Sequence, residues 1–227
     1  YTFVVNSKFT KQLVDLEFSI DSKVVYPPVA VEDLKAGKKE NIILYVGRFS
    51  NLTQSKGHKV LVDVFKQISS KIPNWRLILA GGKGVGAEES QMKQMTNSFG
   101  HFPVEVITNP SWSQLKKLYA KSKIYLSASG FGIDETLEPL KVEHFGITVV
   151  EAMAAGVVPV VTNAGGHQEI VIDKQSGFLW DTLDELKVII LELAGDDSKL
   201  KQISAQAIER SKLFSTQVFN QNYSRLL

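Results

Sequence analysis

Cysteine is absent from the 227-residue chain. That removes disulfide frameworks, thiolate zinc sites and cysteine nucleophiles at once, and it is compatible with a reducing compartment. No apolar run approaches the roughly 18 residues that a membrane-spanning helix needs. Neither sign of charge dominates: 26 lysines and arginines face 24 acids, a net of +2. A nucleic-acid binder usually carries a basic excess or stripe, so no nucleic-acid partner is expected. Internal repeats and low-complexity tracts are lacking as well. The opening "YTFVVNSKFTKQL" has no leading methionine and no signal-peptide layout, and it reads as the middle of a protein, so the chain is expected to be part of a longer polypeptide. What is present is apolar material: 44% of residues are hydrophobic and the mean hydropathy is −0.03. A sizeable core can therefore be buried, in one large α/β domain or one domain with extra pieces.

Six short β-rich runs recur along the chain, at 41–47, 76–81, 104–107, 124–129, 157–162 and 177–180. The first, second and fifth are nearly continuous apolar stretches, as expected for strands covered on both faces. Between the runs, "HKVLVDVFKQISSKI", "EESQMKQMTNSF", "SWSQLKKLYAKS" and "GITVVEAMAAG" place apolar residues three and four apart. Strands alternating with such helices predict right-handed βαβ units and a Rossmann-like, doubly wound parallel sheet of about six strands, helices on both faces. The tail from Leu183 predicts two or three amphipathic helices broken at "GDD", and "VVYPPV" (24–29) predicts a stiff, extended connector.

Open sheets of this kind bind ligands beyond the carboxyl ends of their strands, so the loops leaving those ends carry the functional expectations. After the first run, Gly47 permits a turn, Arg48 offers a planar fork of donors and Lys56 a compact cation. Together they can neutralise a diphosphate; taken alone, two solvated surface charges are the plainer reading. "AGGKGVG" (80–86) lacks the lysine–serine/threonine ending of a phosphate loop, and Gly81 and Gly82 read as a turn that brings backbone close to a ligand. The long connection 129–143 is acidic at Asp134, Glu135 and Glu138. It lacks the glycine-punctuated calcium pattern and reads as a solvated loop before it reads as a metal site.

The stretch "EHFGITVVEAMAAG" holds two glutamates eight residues apart, Glu143 and Glu151. A helix starting near Gly146 leaves the amides of about residues 145–148 free, an anion or hydroxyl site. Glu143 precedes that helix; Glu151 lies two turns in and leans toward its amino end. Carboxylates repel a diphosphate but accept hydrogen bonds from hydroxyls, so the set suits a ligand with both phosphates and sugar hydroxyls. The competing reading is a capping Glu143 and an incidental Glu151, with His144 and Phe145 as packing residues.

These segments resemble a known family. "EHFGITVVEAMAAGVVPVVTNAGGHQEIV" is similar to the glutamate-pair motif of the retaining glycosyltransferases of family 4, the glycosyl transferases group 1. "YVGRFSNLTQSKGHKVLVDVF" resembles their first-strand signature and "FSTQVFNQNYSRLL" their closing helix. The resemblance implies a GT-B enzyme, two Rossmann-like domains facing a cleft. Residues 1–30 would be the remnant of the amino-terminal domain and the connector, and 31–227 the carboxyl-terminal donor domain. It implies that Arg48 and Lys56 hold the donor diphosphate, that Glu143 faces the transferred sugar, and that Phe145, Gly146, Ile147 and Thr148 line the sugar and phosphates. Glu151 would accept from the ribose hydroxyls, and Gly47, Ile107, Thr108 and Asn109 would lie along the nucleotide. It further implies transfer of a hexose from a UDP- or GDP-sugar without metal or cofactor, to a glycan or lipid acceptor held by the other domain. A cytoplasmic location follows, at the inner membrane face by peripheral association, with no transmembrane segment. The chain departs from the family at the long 129–143 loop and at Asn109, where many members carry glycine. A nucleotide-sugar 2-epimerase and a non-catalytic nucleotide- or carbohydrate-binding module are the alternatives.

Overall fold

The computed structural model describes residues 1–49, 57–82 and 99–226. Eight strands lie among them: β1 (Val4–Val5), β2 (Lys23–Val24), β3 (Ile42–Val46), β4 (Arg76–Gly81), β5 (Val104–Thr108), β6 (Ile124–Ser127), β7 (Val158–Thr162) and β8 (Phe178–Trp180). The helices are α1 (Lys8–Phe18), α2 (His58–Ile68), α3 (Trp112–Lys121), α4 (Ile147–Ala154), α5 (His167–Ile170), α6 (Leu183–Gly195), α7 (Asp197–Ser211) and α8 (Thr216–Ser224). All six strands expected from the sequence form. The helix expected over "EESQMKQMTNSF" lies almost wholly outside the described residues.

β3 to β8 make one parallel sheet in the order β5-β4-β3-β6-β7-β8. The chain starts at the centre, works outward to β5, returns to pair β6 against β3, and then runs to the other edge. This is the doubly wound Rossmann order, and the reversal between β3 and β6 is its topological switch point. Strand alternation splits the core between the two faces. Ile43, Tyr45, Leu77 and Leu126 pack with α2 and α6, whereas Ile42, Leu44, Ile78 and Tyr125 pack with α3 and α4. Every residue of β3 and β7 is buried, which explains their unbroken apolar runs. Edge strand β5 has only half-buried and exposed positions.

Local chemistry sets the helix boundaries. α3 and α6 each begin with a complete capping box, Ser111 with Gln114 and Thr182 with Glu185. The "GDD" break is a cap: Asp196 ends α6, and its carboxylate accepts from the Lys199 amide to start α7.

The first 30 residues hold a feature the sequence reading did not anticipate, β1 and β2 pairing in parallel across α1. Strands of two residues show no period, so no pattern announces them. Glu169 ties this unit to the sheet. Its carboxylate accepts from the Lys8 and Phe9 amides (2.9 and 2.8 Å) at the start of α1 and from the Tyr26 hydroxyl (3.0 Å). The extended connector then crosses to the tail, where the Val29 amide donates to Phe214 O at 3.0 Å.

Candidate functional site

At the switch point the exits of β3 and β6 face the start of α4, and a cavity of about 300 Å³ opens there. Gly47 and Arg48 line it from β3, Tyr125 and Ser127 from β6, and Glu143 to Val149 from the approach to α4. A second cavity, of about 430 Å³, adjoins it over β4 and β5 and is lined by Val46, Gly47, Arg48, Gly81, Gly82 and Asn109. Arg48 borders both, so a single elongated ligand can lie across the sheet with the guanidinium beside its middle.

Close backbone packing shapes the floor. The Gly47 amide donates to Ala80 O (3.0 Å) and the Asn109 amide to Gly81 O (2.7 Å), extending the ladder past the strand ends. A Cβ on Gly81 would stand 1.7 Å from Gly47 O. Gly81 is thus required by the approach of two protein backbones, a more specific reason than the ligand-facing turn expected for it. Asn109 has φ of 51°, the left-handed region that glycine occupies freely and asparagine tolerates.

α4 begins at Ile147, with Gly146 as its N-cap at φ 111° and no side-chain cap bond. The start of α4 lines the cavity, where the helix dipole favours negative charge. Glu143 is held by its backbone: its carbonyl accepts from the Gly166 amide at 2.7 Å, and a Cβ on Gly165 would come within 2.3 Å of the same oxygen. A buried splint fixes the helix start to the strands, since the Tyr125 hydroxyl contacts both Val46 O (3.2 Å) and Thr148 Oγ1 (2.8 Å).

Glu151 lines neither cavity. It is half-buried beneath the α4 amino end and accepts from the Tyr119 hydroxyl at 2.8 Å. Burial raises its carboxyl above the ordinary 4.5, and the Tyr119 hydrogen bond offsets part of that rise. Gly47, Arg48, Glu143, Phe145, Gly146, Ile147 and Thr148 come together in the first cavity and Asn109 in the second. Ile107 and Thr108 are the last residues of β5, directly before Asn109. Lys56 lies outside the described residues.

Several lining residues escaped the sequence reading: Asn6 and Pro27 from the N-terminal unit, and Tyr45 and His167. His167 is fully buried, and its Nδ1 is 3.1 Å from Thr162 O. A carbonyl only accepts, so in this contact Nδ1 carries the hydrogen. Thr162 Oγ1, 3.1 Å from the same nitrogen, donates to Ser129 O at 2.6 Å. This network joins the exits of β6 and β7 under the cavity. The spacing Thr162 to His167 was its only linear signal. In the 129–143 loop, the Glu135 carboxylate accepts from the Gly165 amide at 2.8 Å, and Phe131 packs on Trp180 at 5.1 Å. The loop is thereby folded against the β7 exit, with Leu137 and Leu140 exposed. Among the described residues no group of three or more His, Asp or Glu side chains is placed to hold a metal ion, and no helix is long and apolar enough to cross a membrane.

The glycosyl transferases group 1 family profile matches residues 29–210. The chain belongs to this family. Its α-1,2-mannosyltransferase relatives, each named GDP-Man:Man(3)GlcNAc(2)-PP-Dol alpha-1,2-mannosyltransferase, include those of Dictyostelium discoideum and Xenopus laevis. Each is 30% identical, over 93% and 97% of this chain respectively. The chain spans 43% and 47% of those two proteins. Among solved structures, Anabaena Alr3699/HepE in complex with UDP and glucose superposes with a TM-score of 0.82 at 22% identity, over 99% of this chain and 62% of that one. The C-terminal domain of the glycosyl transferase group 1 protein LpcC from Francisella tularensis superposes with a TM-score of 0.66 at 16% identity, over 83% of this chain and all of that domain. The family member described here therefore has the Rossmann-like fold of one half of a GT-B enzyme.

Proposed function

We propose that this chain is the donor-binding half of a retaining glycosyltransferase of family 4, which moves a hexose from a nucleoside-diphosphate sugar to an acceptor held by a second domain. The carrying observation is the juxtaposition at the switch point of Arg48, Glu143 and the amino end of α4 in one cavity. The diphosphate lies against Arg48 and the α4 amides, with Lys56 as a second cation. The sugar hydroxyls face Glu143 and the backbone from Phe145 to Thr148. The nucleoside extends over Gly47, Ile107, Thr108 and Asn109 into the second cavity, and Glu151 accepts from the ribose through the oxygen that Tyr119 leaves free.

The chemistry follows from where charge grows. As the glycosidic bond to the diphosphate breaks, the sugar becomes oxocarbenium-like and negative charge develops on the departing phosphate. Fixed donors aimed at that phosphate stabilise the charge without reorganising. Arg48 and the helix amides do so here, a role that a divalent ion fills elsewhere, so the reaction is proposed to be metal-independent. Glu143 orients the sugar through hydrogen bonds.

The mannosyltransferase relatives favour a GDP-linked mannose and a polyprenyl-diphosphate acceptor, and the complex of the Anabaena protein keeps UDP as the second donor base. A lipid-linked acceptor accords with a cytoplasmic enzyme peripherally associated with the membrane. The family match favours transfer over epimerisation or a purely binding role. Calorimetric titration with GDP and UDP tests the proposal: one of them binds, and Arg48→Ala weakens it. If neither binds at millimolar concentration, the donor assignment fails.

A further inference from the structure

Tyr45 occupies the middle of the buried β3 run and is 2% exposed. Its ring packs edge-on against His58 at 4.7 Å, as a core residue would. The hydroxyl does not behave like the ring. Tyr45 Oη is buried and has no hydrogen-bond partner among the described residues. The two other tyrosines in this region differ: Tyr119 Oη donates to Glu151, and Tyr125 Oη bridges Val46 and Thr148. Buried hydroxyls are nearly always paired because leaving one unpaired is costly, so this exception needs a cause.

Its position supplies one. A Cβ placed on Gly47 would stand 2.0 Å from Tyr45 Oη. The hydroxyl thus rests against the glycine where the chain leaves β3 toward Arg48. Tyr45 lines the same cavity as Arg48 and Glu143. Burial, with smaller contributions from Tyr125 and Glu143, holds the phenol protonated well above its ordinary 10.0, and Arg48 opposes this only weakly. At neutral pH it is an O–H donor with no acceptor among the described residues.

We propose that Tyr45 is a further donor-binding residue, whose hydroxyl donates to a diphosphate oxygen of the nucleotide sugar beside Arg48. The assignment rests on the donor-cleft reading above. An anionic oxygen is the partner of choice because a hydrogen bond to a charged acceptor is shorter and about twice as strong as a neutral one. Glycine at 47 leaves room for the hydroxyl at the cavity wall, where a Cβ would collide with it.

The test is calorimetric titration of the wild-type chain and Tyr45→Phe with GDP, UDP and GDP-mannose, together with thermal melting of both ligand-free proteins. The expected result is a loss of at least about tenfold in affinity, equal for the free nucleotide that binds and for its sugar conjugate. The ligand-free melting temperature should be unchanged or raised, since the substitution removes an unpaired buried group. Equal affinity in the two proteins would overturn the assignment. So would a loss confined to GDP-mannose, which would put the hydroxyl on the sugar, or a lowered ligand-free melting temperature, which would make its role structural. Absence of all binding by the wild-type chain would instead refute the donor cleft itself, and this assignment with it.

Discussion

Single residues in this cleft are constrained by contacts of a few ångströms. A Cβ at Gly47 would lie 2.0 Å from Tyr45 Oη and 2.7 Å from its Cζ. Gly47→Ala must therefore push the ring out of place, at an overpacking cost of about 1–3 kcal/mol. Urea denaturation should show that loss, and an unchanged midpoint would mean the strand exit is looser than described. Glu151 makes a pH-dependent prediction. Its carboxyl is raised on folding, so its contribution is most favourable below the unfolded value of about 4.5 and is lost as pH rises through the higher folded value. Glu151→Gln should raise the melting temperature at pH 7, leave it nearly unchanged at pH 4, and weaken nucleotide binding. A gain of equal size at both pH values would contradict the burial argument. Arg48 and the glutamates could be picked out in the linear sequence because they lie at a strand's carboxyl end and around a helix start, where an open α/β sheet binds ligands, in segments that resemble the family's motifs. Tyr45 could not, since a tyrosine inside "IILYV" looks like core and only the fold shows where its hydroxyl ends.

Elements were legible where burial leaves a long signature. β3, β4 and β7 are covered on both faces and read as apolar runs, and α2 shows its buried stripe at Leu61, Val64, Phe65 and Ile68. β1 and β2 were not, because their pairing depends on a crossover through α1 and not on any local pattern. Register and strand order are also non-local. The switch point between β3 and β6 follows from the pairing, and it alone explains why the β3 exit and the α4 start, 100 residues apart (47 against 147), share a cavity. The β7 exit holds Glu143 from behind through Gly165, which has φ of 54° and sits against Glu143 O. Gly165→Ala combines left-handed strain with a steric clash and should cost roughly 1–3 kcal/mol. It should also weaken nucleotide binding, because the approach to α4 moves. A variant that melts like the wild type and binds equally well would show that this contact does not position the site.

At the scale of the whole molecule, the proposed function makes the chain one wall of a cleft. On that proposal the Rossmann-like sheet holds the nucleotide and its diphosphate, and a second domain would support the acceptor. Asn6 and Pro27 reach into the cavity from the unit that precedes the donor sheet, so that unit contributes to the site. If the proposal holds, fusing this chain to the amino-terminal part of a relative should give an assembly that transfers sugar. In that assembly Arg48→Ala should lower kcat by about 10²–10³-fold, the usual effect of removing one fixed donor to a developing oxyanion. A change confined to KM would assign Arg48 to ground-state binding only. The most direct measurement is simpler: isothermal calorimetry of this chain with GDP and UDP, in the wild type and Arg48→Ala. The account predicts that one nucleotide binds the wild type and that the variant binds it at least about tenfold more weakly; equal binding by both proteins, or by neither, would contradict it.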